Sequence, residues 1–159
     1  MLHVQQLMTR TVHTCQPTDT LAYAADVMWN RDVGALPVLD EFGRPVAMVT
    51  DRDVCMGAFL TRRALSQIRV SDVMSKQIYT VRLMDPISRA KHLMAECQVR
   101  RLPVVDDEAR LVGIVCQNDI VREAARELEG RADISPSDVM KTVSAIGRHR
   151  NGPLSRPIR

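Results

Sequence analysis

The sequence predicts an α/β (α+β) protein made of two tandem β-α-β-β-α units. The main observation is an internal repeat: Val4–Ala58 aligns with Val70–Ala124 without a gap, and 16 of the 55 aligned positions are identical. Within each copy the apolar residues follow strand and helix spacings in the same order. Because a unit of roughly sixty residues is too small to close its own core comfortably, we expect the two copies to pack sheet against sheet.

The first copy begins with an extended run and continues as helix, two strands and helix. Leu21, Ala24 and Met28 recur at helical spacing, and the turn Asp40–Gly43 separates two β-type runs. The predicted elements are an extended run Thr11–Cys15, a helix that starts after Thr18 and Asp19, strands Ala35–Leu39 and Pro45–Thr50, and a helix over Asp51–Arg63.

The second copy repeats these elements, and a fragment of a third copy follows. The predicted elements of the second copy are Gln77–Val81, Asp85–Cys97, Leu102–Val105, Leu111–Cys116 and about Asn118–Glu129. Ser137–Met140 repeats Ser71–Met74, and we interpret it as a helical turn that caps one repeat against the next. The predicted domains are therefore 1–65, 66–130 and a C-terminal helical turn with a basic tail, 131–159.

Composition favours a folded protein without a membrane span. The chain has 159 residues, of which 45% are apolar, and no apolar run approaches the ~18 residues of a membrane helix. The start MLHVQQLMTR lacks the apolar core of a secretory signal, so we expect a cytoplasmic protein. The net charge of +3 is modest, and a solvated basic tail is a simpler interpretation than a nucleic-acid site.

Catalytic and metal-binding patterns are absent from the sequence. It contains no phosphate-binding GxxxxGK[ST] loop, no GxGxxG and no GxSxG. The four cysteines form no CxxC pair, and the four histidines lie at no metal-ligand spacing. We therefore expect a protein that is not an enzyme and holds no metal.

The repeat carries a resemblance to a known family. Each copy has a Leu-Pro-Val strand, at Leu36–Val38 and Leu102–Val104, and an apolar strand that ends in a motif with a final aspartate, at Asp53 and Asp119. In these features the chain resembles tandem cystathionine-β-synthase (CBS) domains over about residues 1–130. The resemblance implies a pseudo-twofold disc, called a Bateman module, that binds adenosine-containing ligands between its motifs, commonly dimerises, and senses rather than catalyses.

The aspartates have two interpretations. Thr50 and Asp53 have the spacing of a helix capping box, which explains them without any ligand. However, Cys116 replaces the threonine in the second copy while Asp119 is kept. By resemblance to the family, Asp53 and Asp119 hold the ribose hydroxyls, and Thr50 bonds to ribose or phosphate.

The two copies differ in their basic residues. The second copy has Arg100 and Arg101 where the first has Gly34 and Ala35, and the resemblance places such a pair against nucleotide phosphates. Arg52, at a helix start, is another phosphate candidate, and a solvated basic strand start is the alternative for the pair.

Adenine requires an apolar slot with backbone hydrogen bonds. The edges formed by Val12 and His13 and by Ala35 and Pro37 suit it, although ordinary sheet packing explains the same residues.

Two classes of function stay open. One is a sensor of AMP, ADP or ATP, or less readily of NAD or S-adenosylmethionine, that acts on a separate protein. The other is an interaction module with degenerate ligand sites. We expect Asp53 to face Arg100 and Arg101 in the stronger, phosphate-binding site. Asp119, with Asn118, is expected to face Gly34 and Ala35 in a second site that binds weakly or prefers an uncharged adenosine group.

A homodimer through the helices is also expected, because apolar helix residues exceed what one disc needs. The residues that led to this expectation in the first copy are Leu21, Ala25, Met28, Val54, Ala58 and Phe59.

Overall fold

A computed structural model of the chain describes residues 1–127 and 134–147. It confirms a mixed α+β fold with two small sheets. The elements are α1 (Val4–Leu7), α2 (Leu21–Asn30), β1 (Ala35–Leu39), β2 (Pro45–Thr50), α3 (Asp51–Thr61), a 3₁₀ turn (Leu65–Gln67), α4 (Val70–Val73), β3 (Val81–Arg82), α5 (Ile87–Cys97), β4 (Arg101–Val105), β5 (Leu111–Cys116), α6 (Gln117–Glu127) and α7 (Pro136–Ile146).

The chain forms two compact units that do not follow the repeat boundaries. One, here the first-copy unit, consists of Thr11–Ile78 with the short segment Glu108–Leu111. The other, the second-copy unit, consists of Met1–Arg10, Tyr79–Asp107 and the described residues from Val112 onward. The segment that precedes the first strand of the first copy therefore folds with the second copy.

In the first-copy unit the strands β1 and β2 pair antiparallel, with Ala35 opposite Thr50. The predicted extended run before α2 contributes only one bridge, from Cys15 to Val38 in parallel orientation. The core lies beneath this sheet and contains Leu21, Leu36, Val38, Val49 and Ile68, which are fully buried.

The second-copy unit has the strand order β3-β4-β5, with β3 parallel to β4. Its first strand is shorter than predicted and covers only Val81 and Arg82. The N-terminal segment joins this unit through two backbone hydrogen bonds between Thr9 and Ile114, each 2.9 Å long. The core contains residues from both copies: Val4 comes from the first copy, and Val81, Met94, Leu102 and Ile120 come from the second.

The ends of α2 and α3 can be compared with the predicted helix bounds. We predicted that α2 starts after Thr18 and Asp19, but its N-cap is Thr20, whose hydroxyl accepts from Tyr23 N at 3.2 Å. Asp19 instead accepts a hydrogen bond from Gln16 N at 2.7 Å, which closes the preceding turn. Helix α3 ends at Thr61 because the next residue, Arg62, has left-handed backbone angles.

The third-copy fragment is longer than the predicted turn. It starts an eleven-residue helix, α7, that packs on α5 and α6. Its buried residues Val139, Thr142 and Ile146 lie on one face, and Asp138 forms an ion pair with Lys91 of α5, with 3.8 Å between Nζ and Oδ2. The helix continues past the repeated tetrapeptide because apolar residues recur at helical spacing beyond it.

Equivalent positions of the two copies share unusual backbone angles. Asp32 and Gln98, which are equivalent positions, both have φ of 52°. The hairpin turns match as well: Gly43 has φ of 77° and its equivalent, Ala109, has φ of 63°. Only glycine adopts this region without cost, so the second turn stores strain that the first does not.

Replacing Gly43 by alanine and Ala109 by glycine should therefore have opposite effects on the free energy of unfolding. Gly43→Ala should lower the free energy of unfolding by about 1 kcal/mol, and Ala109→Gly should raise it by a smaller amount, because glycine also gains freedom in the unfolded chain. A methyl group at position 43 meets no atom within 4 Å, so backbone strain is the only cause. Urea unfolding measures both variants, and equal signs would contradict this explanation.

Candidate functional site

The first candidate site is the junction between β2 and α3. Thr50 and Asp53 form a complete capping box: Asp53 N donates to Thr50 Oγ1 at 3.2 Å, and Thr50 N donates to Asp53 Oδ2 at 3.0 Å. The Thr50 hydroxyl also donates to Oδ2 at 2.8 Å. All three bonds that join the two residues therefore leave out Oδ1, and among the described residues no donor bonds to that oxygen. The capping interpretation is correct for the protein without ligand, and one carboxylate oxygen is left over.

The second candidate site is the equivalent junction between β5 and α6. Cys116 N donates to Asp119 Oδ2 at 2.7 Å, so half of the capping box survives the loss of the threonine hydroxyl. The other oxygen, Oδ1, accepts from the Arg122 guanidinium. Asp119 is only 8% exposed. Its retention in the second copy is thus explained by these two contacts without a ligand, unlike our reasoning from the sequence.

Both junctions are fixed by a second backbone hydrogen bond to the start of the Leu-Pro-Val strand. Asp51 N donates to Gly34 O at 3.1 Å in the first copy, and Gln117 N donates to Arg100 O at 2.8 Å in the second. This bond holds the residue before the strand next to the helix start of the same copy, whereas we expected Asp53 to face Arg100 and Arg101 of the other copy. Asp51 was not among our candidates, and its carboxylate lies close to Gly34.

A pocket of about 290 Å³ lies within the second-copy unit. Its walls contain the candidates Arg100, Arg101 and Asn118 together with Cys116 and Gln117. The remaining wall belongs to α7, and sequence reasoning missed it: its residues are Val143, Ile146 and Gly147. The helical spacing of apolar residues after Met140 is the signal that could have found this wall.

Cys116 is a neutral thiol in this pocket. Burial raises the pKa of its thiol and the Asp119 carboxylate raises it further, while Arg101 and Arg122 lower it less. A thiolate would have neutralised one neighbouring guanidinium. Because the thiol keeps its proton, the pocket keeps the positive charge of its arginines.

The candidates for the adenine slot lie in the first-copy unit. Val12 and His13 are half-buried, whereas Ala35 and Pro37 are buried in β1. The Pro37 carbonyl already accepts from Cys15 N at 3.1 Å, so it is engaged in the sheet. The half-buried pair before Cys15 is therefore the more accessible part of the predicted slot.

Several of the helix residues on which the expected dimer rested are buried in the core and do not lie at the surface. Leu21, Met28 and Val54 belong to the core of the first-copy unit, because their side chains complete the packing beneath the sheet. The exposed apolar side chains of α2 and α3 are Tyr23, Trp29, Met56, Phe59 and Leu60. Trp29 is 87% exposed and Phe59 is 71% exposed, so an apolar helix surface exists. Phe59 belongs to the expected set, and the other four exposed residues do not.

Comparison with known proteins identifies the family. The model of the CBS domain matches residues 4–57 and 70–126. The chain belongs to the CBS domain family. Among curated relatives, the CBS domain-containing protein YhcV of Bacillus subtilis is 38% identical over 133 residues, which cover 83% of this chain and 93% of YhcV.

Solved CBS pairs have the same fold. The CBS domain pair of protein MJ0100, in complex with 5′-methylthioadenosine and S-adenosyl-L-methionine, is 25% identical with a TM-score of 0.67 and is aligned over 76% of this chain and 97% of that one. CBSX2, a CBS-pair protein of Arabidopsis thaliana, in complex with AMP is 27% identical with a TM-score of 0.68, over 81% and 99% of the two chains. Both neighbours bind adenosine compounds.

Enzymes that contain CBS domains match this chain over only about a quarter of their own length. Within residues 1–127 and 134–147, no three His, Cys, Asp or Glu side chains are grouped as a metal ion would need. None of the helices in the described ranges combines the length and apolarity that a bilayer crossing requires.

The thiol environments predict an order of alkylation. At pH 8, iodoacetamide should modify the exposed Cys55 first, Cys116 more slowly, and the buried Cys15 last, since burial raises the pKa of Cys15 to about 12. Peptide mass spectrometry over time measures the order. In denaturant the three rates should converge, and a native Cys116 as fast as Cys55 would contradict the neutral-thiol assignment.

Proposed function

We propose that this protein is a non-catalytic regulatory module that binds an adenosine-containing ligand, with AMP, ADP or ATP foremost. The observation that carries the proposal concerns the carboxylate of the half-buried Asp53. This carboxylate accepts its capping hydrogen bonds through Oδ2 alone. A carboxylate oxygen at a rigid strand-to-helix junction is suited to accept hydrogen bonds from ribose hydroxyls. The adenosine ligands of the structural neighbours support the same class of ligand.

Cations for the ligand phosphates are available in both copies. Arg52 is exposed at the start of α3, where the helix dipole also favours anions. Arg100 and Arg101 supply two further guanidiniums, which suit phosphate oxygens. We assign both sets to phosphate binding. Val12, His13, Ala35 and Pro37 are assigned to the adenine end.

The two junctions are not equivalent as ribose sites. Asp119 already uses both oxygens, one for Cys116 N and one for Arg122. A ribose would have to displace the Arg122 contact, which costs part of its binding energy. The first junction is therefore the stronger ribose site, and Asp119 with Asn118 forms the weaker one.

Under this proposal the module acts on a separate partner protein. Its location is the cytoplasm. Binding of the nucleotide would change the geometry of the pair or of its dimer, and the partner would respond to that change.

The first test compares nucleotide-dependent stability of two matched variants. With AMP or ATP at about a hundred times its dissociation constant, linkage predicts roughly 2.7 kcal/mol of added stability. Asp53→Ala removes ribose hydrogen bonds of about 1.5–3 kcal/mol each, so most of the melting shift should disappear. Asp119→Ala, the equivalent change in the second copy, should keep most of it.

The capping role of Asp53 requires a control in the same experiment. The melting temperature of each variant is measured without nucleotide first, because loss of the cap alone costs about 1 kcal/mol. If Asp53→Ala lowers this baseline but leaves the nucleotide shift intact, the aspartate is only a cap. If no adenosine compound shifts the wild type, the protein is an interaction module with degenerate sites.

The exposed helix surface supports a homodimer as the second part of this proposal. Trp29, Phe59 and Leu60 lie on α2 and α3 with large exposed apolar area, and such surfaces commonly mark interfaces between protein chains. A second copy of the chain would bury the same surface on both molecules, as an interface with twofold symmetry does.

A charge on this surface should separate the dimer. Phe59→Glu should give the monomer mass of 17.9 kDa in light scattering, whereas the wild type gives twice that mass. Phe42→Glu is the matched control, because Phe42 is also an exposed phenylalanine, 63% exposed, but lies in the β1–β2 turn. A wild type that stays monomeric at all concentrations would remove the homodimer.

A further inference from the structure

We infer that helix α7 is part of a second ligand site, in which Arg100 and Arg101 hold an anionic group and α7 closes the pocket over the uncharged part of the ligand. The inference rests on the proposed function in one respect: the ligand is taken to be a phosphate-bearing compound of the same adenosine class. The contribution of α7 is new, since no residue of the repeated motifs predicts it.

The charged residues near the two junctions differ, and we expect their affinities for anions to differ as well. At equivalent positions the first copy has Gly34, Ala35, Asp51 and Arg52, and the second has Arg100, Arg101, Gln117 and Asn118. The second copy thus gains two guanidiniums, loses the one of Arg52 and loses the Asp51 carboxylate, so the charge of this set rises from 0 to +2. Among the described residues, no carboxylate forms an ion pair with either arginine of the pocket. The pocket therefore offers uncompensated positive charge to an anion.

The α7 wall supplies the apolar side of the same pocket. Val143 and Ile146 are one turn apart on the helix and line the space together, and Gly147 ends the helix there. The volume of about 290 Å³ is that of a small-ligand site with α7 already in place. The helix therefore completes the pocket and does not fill it.

Helix α7 is held in this position by its packing on α5 and α6. Its first half is anchored by the buried Val139 and by the ion pair between Asp138 and Lys91, and its last turn by Ile146. A ligand that touches the last turn stabilises the docked helix by its own binding energy. Occupancy of the pocket is thereby coupled to the docking of α7.

The test reverses the charge at one position of the α7 wall. In an Asp53→Ala background, which removes the first site, AMP affinity is measured by titration calorimetry for Val143→Lys and Val143→Asp. The lysine should tighten AMP binding and the aspartate should weaken it, each on the order of tenfold, because position 143 lines the same pocket as Arg100 and Arg101. A defect in folding cannot produce opposite signs, since both substitutions remove the same apolar contact.

Matched controls lie on the same helix. Met140→Lys and Met140→Asp place the same charges at a residue that is 73% exposed and does not line the pocket, so AMP affinity should stay within about twofold. Adenosine replaces AMP as the second probe: without a phosphate, it should show little response to either charge at position 143. Equal effects at positions 140 and 143, or on AMP and adenosine, would overturn the inference.

Hydrogen exchange separates this inference from the proposed function. AMP at about ten times its dissociation constant should slow amide exchange in α7 by up to about tenfold, and Arg101→Ala should abolish the effect. If α7 is unaffected while the melting shift that depends on Asp53 is present, this inference is wrong and the proposed function stands. If α7 responds without that shift, the ribose role of Asp53 is wrong and the α7 site stands. If neither responds, both are overturned.

Discussion

The hydrogen bonds at the two strand-to-helix junctions are the constraint on which the candidate sites depend. In each copy, an aspartate in the first turn of the second helix accepts from a backbone N–H at the end of the preceding strand, at 3.0 Å for Asp53 and 2.7 Å for Asp119. A second backbone bond ties the following residue to the start of the Leu-Pro-Val strand. These bonds fix where the helix starts relative to the sheet. Every candidate ligand residue of the junctions is placed by them.

Much of this architecture could be predicted because its causes are local. The strands β1 and β2 have the predicted bounds, since a turn with Asp40 and Gly43 separates two apolar runs of strand length. The capping box at Thr50 follows from residues three positions apart. The repeat then transfers these assignments to the second copy, where the left-handed angles of Gly43 and Ala109 occur at equivalent positions.

What the sequence could not predict depends on contacts between distant or non-repeated residues. The Asp119 carboxylate is paired with Arg122, whose equivalent in the first copy is Met56, so the comparison of copies gave no hint of it. The length and contacts of α7 lie outside the repeat altogether. Likewise, Leu21 and Phe59 are both apolar, and only the packing shows that one is in the core and the other at the surface.

The two hydrogen bonds between Thr9 and Ile114 have a consequence for how the chain folds. The N-terminal helix leaves the ribosome long before the strand that will hold it exists, and closing so long a loop is slow because of its entropy. Until then the apolar face of α1, with the buried Val4, has no partner in its own copy. The second-copy unit thus cannot close before synthesis has passed Cys116, and the second copy of the repeat does not contain all of its own folding unit.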